Sequence, residues 1–197
     1  MNRNLLFYNA LIIMLTVVIN ACTTTTLKTE WLDKTYHEDP FKKVLIIGVF
    51  YNEEEKIIFE NELAQQMVLR EINAISSNTI FKEYKMLEKE MIEKALNELG
   101  IDSVLVARLV KVDEVGTYYE PQTYITGGFY NYYVQCCQNP VSSGRNIMIE
   151  IKFFQARQDK LLWSALSETI LDGSFEKVTK SLIPYIIKDL HDKKLIQ

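Results

Sequence analysis

The run Lys43-Val44-Leu45-Ile46-Ile47-Gly48-Val49-Phe50 constrains this chain more than any other segment, because a strand so rich in β-branched and apolar residues needs both faces buried. Cover on two sides implies helices. The first is written directly after it: Asn52 stands three residues before Glu55, the spacing of a capping box, and Ile58, Phe59, Leu63, Met67 and Ile72 carry apolar positions to about residue 72. A short, weaker strand is expected over residues 74–77. Met91, Ile92, Ala95, Leu96 and Leu99 then make an amphipathic stripe that stops at Gly100, and Ser103 to Val112 reads as a second buried strand.

In the last third, Ile147, Ile149, Ile151 and Phe153 alternate with Met148, Glu150 and Lys152, and Gln158-Asp159 turns the chain into Leu161 to Thr169. This is a hairpin with one buried face and one partly wet face. A closing helix starts from Ser174 and uses Phe175, Val178, Leu182, Ile183, Ile186, Ile187 and Leu190, with Pro184 expected to kink it. The predicted fold is α/β (α+β), a single domain over residues 41–197. Its mixed sheet has about five strands packed with three main helices, parallel in the first half and antiparallel in the second.

Residues 1–21 read differently. A short start bearing Arg3 precedes Leu5 to Ile19, an apolar stretch within the ~7–15 residues of a secretory leader and short of the ~20 that span a bilayer. Ile19-Asn20-Ala21-Cys22 resembles the lipobox of bacterial lipoproteins. The resemblance implies cleavage between Ala21 and Cys22 and acylation of Cys22; the other reading is an ordinary signal peptide cut nearby, with Cys22 left as a free thiol. Thr23 stands where inner-membrane lipoproteins carry Asp, so the lipobox reading implies outer-membrane anchoring with the domain facing the periplasm.

Residues 22–40 are polar and without sustained periodicity, and are expected to form the lipidated amino terminus and a tether. Trp31 either packs on the domain or contacts a partner. Loss of Arg3 with the leader moves the formal charge from −4 to −5. No basic run suggests nucleic acid or anionic headgroups, so the lipid alone is expected to hold the membrane.

Catalytic material is sparse. No G-x-G-x-x-G or P-loop is present, and Glu53, Glu54 and Glu55 in the first helical turn would repel a phosphate. His37 and His191 are the only imidazoles, which leaves little for a triad or a metal. The pairs Glu60/Glu62 and Glu88/Glu90 read as solvated helix faces. No metal and no cofactor other than the lipid is expected. Adjacent Cys136 and Cys137 can form a strained vicinal disulfide, stay reduced, or bridge to another chain.

Residues 116–144 gather Tyr118, Tyr119, Tyr124, Tyr130, Tyr132 and Tyr133 around Gly127 and Gly128. Tyrosine offers apolar area with a polar tip, so Tyr124, Tyr130, Tyr132 and Tyr133 are candidates for partner binding, with core packing as the alternative.

Trp31, the stretch Pro40 to Gly48, Asp102-Ser103-Val104-Leu105-Val106, the tyrosine segment and Lys160-Leu161-Leu162-Trp163-Ser164 together resemble a family of uncharacterised bacterial outer-membrane lipoproteins. Their domain is similar to the amino-terminal domain of TolB. The resemblance implies a small periplasmic α/β domain used for protein contacts, and supplies no catalytic residues. The expectation is a non-catalytic, lipid-anchored lipoprotein that binds or helps assemble envelope proteins or cell-wall components. An envelope hydrolase or redox protein using the tyrosine loop or Cys136 and Cys137, and a homo-oligomer associating through that loop, are the competing readings.

Overall fold

The expected central strand is β2, Lys43–Val49, and every residue in it after Lys43 is buried. The computed structural model describes residues 25–81, 87–110, 128–138, 146–170 and 174–197; the leader, Ala21, Cys22, Tyr118, Tyr119 and Tyr124 lie outside them. β2 has a parallel neighbour on each side, β3 (Asn73–Ser76) and β4 (Ser103–Val110). β5 (Asn146–Gln155) runs antiparallel to β4 and turns back into β6 (Lys160–Ile170). β1 (Thr25–Leu32) closes the outer edge antiparallel to β6, giving the order β1-β6-β5-β4-β2-β3. The fold is the expected mixed α/β sheet. Among the described residues it has six strands, one more than the sequence suggested.

Alternation along the strands divides the core into two layers. Val44, Ile46, Leu105, Ile149, Ile151 and Trp163 face α1 (Glu53–Val68) and the closing helix Phe175–Asp192. On the opposite face lie Leu45, Ile47, Val104, Val106 and Phe154. They are covered by α3 (Lys89–Leu99) and α4 (Phe129–Gln138), while the single turn α2 (Ser77–Ile80) follows β3. The closing helix is α5, with Pro184 inside it on the exposed side.

The helix ends follow local chemistry. Asn52 Oδ1 accepts from the Glu54 amide at 2.9 Å and caps α1. α1 stops at Val68, short of residue 72, because the Ile72 amide turns back to the Met67 carbonyl and Glu71 takes a left-handed φ of 65°. α3 ends as expected at Gly100, whose φ of 62° is open to glycine without strain.

The tether expected over residues 22–40 is corrected from Thr25 onward. Thr25 is 4% exposed, and its hydroxyl meets Thr169 Oγ1 at 2.8 Å and Ser181 Oγ at 2.5 Å, which locks β1 to β6 and to α5. The following loop is fastened as well. The Asp33 amide donates to the Leu162 carbonyl, its carboxylate accepts from Thr35 and pairs with Lys160 at 2.5 Å, and Tyr36 stacks on Phe41. Polarity misled here because an edge strand buries only part of itself, and its register shifts between Leu27 and Thr29, erasing the period of two.

Candidate functional site

The richest concentration of chemistry lies where α4 crosses β4 and β5. Strand register sets Arg108 opposite Glu150 and Val106 opposite Lys152, so two cations flank one carboxylate on a single face. Glu150 Oε2 accepts from Arg108 Nε at 2.7 Å and from the Tyr132 hydroxyl at 2.7 Å, and its Oε1 lies 3.1 Å from Lys152 Nζ. Lys152 Nζ also stands 4.3 Å from the centre of the Tyr132 ring. The three charged side chains are only 12–14% exposed.

Burial raises the cost of every charge in this group, and the neighbours decide the outcome. Desolvation pushes the Glu150 carboxyl up, but Arg108, Lys152 and two hydrogen bonds bring it net below its ordinary value. Desolvation lowers Lys152, and Glu150 offsets only part of that. Burial, and then the Glu150 charge, hold the Tyr132 phenol well above its ordinary value, so it stays a donor. The thiol of Cys136, on the same helix, is pushed up to about 12, chiefly by burial and against the pull of Arg108. A thiol so held is neutral and a poor nucleophile at physiological pH.

A second buried acid departs from the sequence expectation. Glu60, expected on a solvated helix face, is 0% exposed. Its carboxylate accepts from the Gly48 amide (2.7 Å), Ser76 Oγ (3.0 Å), Ser77 Oγ (2.7 Å), the Asn78 amide (2.9 Å) and Asn78 Nδ2 (3.1 Å). It ties the end of β2 to the start of α2. Gly48 belongs to the same node, since a β-carbon there would lie 2.9 Å from the Phe50 ring. Glu88 and Glu90 are exposed, as expected.

The tyrosine candidates separate. Tyr124 lies outside the described residues. Tyr132 and Tyr133 are 3% and 4% exposed, which corrects their reading as docking surface: both are core, as the alternative held. The Tyr133 hydroxyl accepts from the Leu87 amide at 2.8 Å, and half-buried Tyr130 donates to the Leu87 carbonyl at 3.3 Å. Cys136 and Cys137 are both free thiols, so the vicinal bridge is not formed. Cys136 is buried and Cys137 half-buried.

Trp31 is one of three large aromatics exposed among the described residues, with Tyr51 and Tyr185. It is 49% exposed on β1, opposite Ser164, and Ser164 in turn pairs with Lys152. At ~4.8 Å per strand, the backbone of Trp31 is about 10 Å from that of Lys152 on one sheet face. His37 and His191 both lie at the end of the domain where β1 finishes, beside clefts between the 33–40 loop and the carboxyl-terminal segment. No group of three or more His, Cys, Asp or Glu among the described residues is placed to hold a metal ion.

Helices on both faces of a mixed sheet define a three-layer α/β protein. Neither a protein-family model nor a curated protein sequence matches the chain. Among solved structures it is similar to two PelC dodecamers from Paraburkholderia phytofirmans, one of them carrying a leucine-to-methionine substitution. That variant is 11% identical with a TM-score of 0.45, and the second is 12% identical with a TM-score of 0.44. Each alignment covers 85% of this chain and 97% of the other.

Proposed function

We propose that the protein is an outer-membrane lipoprotein, anchored through acylated Cys22, whose periplasmic domain binds or helps assemble other envelope components without catalysing a reaction. The observation that carries the binding reading is Trp31, a half-exposed indole on an edge strand, since Trp is the residue type most enriched where partners dock. Support for the non-catalytic reading comes from the groups an enzyme would use. The Tyr132 hydroxyl and the Glu150 carboxylate are spent on each other and on Arg108, and the Cys136 thiol is buried and neutral.

The test is made in cells with the full chain. A photo-crosslinking residue at position 31 should capture a distinct envelope component, while one at Tyr185, 49% exposed on α5, should not. Capture of a second copy alone would favour homo-oligomerisation instead. Cys22→Ala should lose the acyl label and leave the domain in the soluble periplasmic fraction.

A further inference from the structure

The burial of Thr25 changes what an anchor on Cys22 can do. A flexible tether to residue 40 would let the domain float several nanometres from the membrane, but Thr25 is pinned inside the domain by Thr169 and Ser181. Only Thr23 and Thr24 separate Cys22 from Thr25, and over three steps of ~3.6 Å their α-carbons are at most about 11 Å apart whatever path the chain takes. The leash is shorter than the domain. β1 alone, at ~3.3 Å per residue, runs about 23 Å from Thr25 to Leu32 at its far end.

Topology then says which parts lie within reach. Thr25 pairs with Thr169 at the end of β6, and α5 starts a few residues beyond. The carboxyl ends of β2 and β4 point the same way, because β2 and β4 run parallel and β4 runs antiparallel to β5. Tyr51, 64% exposed just after β2, belongs to this end too. Trp31, Trp163, His37 and the clefts beside the carboxyl-terminal segment lie toward the other end.

We infer that the end bearing Thr25 and the start of α5 is seated directly on the lipid surface. The opposite end, with Trp31 and the clefts, projects away from the membrane. The inference rests on the anchoring of Cys22 proposed above. Given that anchor, it follows from chain length and from the burial of Thr25, with no need for a basic surface.

The test uses the acylated full chain reconstituted in vesicles of phosphatidylcholine with brominated acyl chains, which quench tryptophan only at short range. The native tryptophans, Trp31 and Trp163, both report on the far half, so native emission should be the same in brominated and plain vesicles. Lys177→Trp, at an exposed position in the first turn of α5, should add emission that is lost in the brominated vesicles. A long Gly/Ser insertion between Thr24 and Thr25 should restore it. Quenching of Trp31 equal to that at position 177 would show the domain lying on its side and overturn the inference. So would an unquenched position 177 in a chain that carries the acyl label. Absence of that label would instead remove the anchor, and with it both proposals.

Discussion

Two buried carboxylates, one in each layer, solve the same problem in different ways. Glu60, on α1 itself, is held chiefly by neutral donors, namely two backbone amides, two serine hydroxyls and an asparagine amide, with the Lys56 ammonium farther off at 4.0 Å. Glu150, under α4, is held by two cations and a phenol. Fixed dipoles hold a charge through geometry, so Glu60 works only if β2, β3 and α2 are all in place. Ion partners act over a longer range but are themselves charges that must be matched. Glu60 therefore reports on how the parallel half of the sheet is joined, and Glu150 on how α4 is bolted to the antiparallel half.

The largest expected effect comes from Glu60→Ala. It strands several buried donors at once, each worth about 1–3 kcal/mol when unsatisfied, so a loss of about 3 kcal/mol or more should appear in urea unfolding. Glu150→Gln should cost about 2 kcal/mol, below the range for a fully buried pair because Arg108 and Lys152 keep some access to water. If the two substitutions proved equal, the contrast between dipolar and ionic support would fail.

Acid should probe the ionic support of Glu150 next. The folded-state value of Glu150 is depressed, so its contribution is complete above the ordinary carboxylate value and is lost as pH falls through the folded value. Asp33, lowered to about 2 by Lys160 and then by Thr35, behaves in the same sense and loses its contribution as pH falls through that value. Unfolding free energy should decline from about pH 5 downward, and Glu150→Gln should decline less steeply than the native chain. At alkaline pH the signal is chemical: in the native state Cys136, 2% exposed, should resist alkylation at pH 8 and react only on unfolding, because burial pushes its thiol up to about 12. Trp31→Ala should shift stability by only about 0.5 kcal/mol while removing the crosslink at that position.

The legible parts of the fold were those whose signal is local. β2 announced two buried faces, Gly100 marked the end of α3, and the alternation from Ile147 to Phe153 gave the β5–β6 hairpin its register. The misread parts depend on distant partners. Glu60 sits on the stripe of Phe59, Leu63 and Met67, yet its ligands come 16 to 18 residues later in Ser76-Ser77-Asn78, a cluster of donors that was the available clue. α4 carried a helical stripe in Phe129, Tyr132, Tyr133 and Cys136, which the glycines and tyrosines around it obscured. Arg108 lay inside an otherwise buried run, where a lone cation signals a partner across the sheet. Cys22 and Tyr124 lie outside the described residues.

The pairing of β1 with β6 also governs when the molecule can form. Thr25 and Thr169 are 144 residues apart, and Phe41 is held by the carbonyl of Leu195 and a bridge to Ile196. The earliest strand therefore waits for the latest segments to be synthesised. A chain still emerging from the ribosome has no partner for β1 and no lid for Phe41, so it stays open until translation is almost complete.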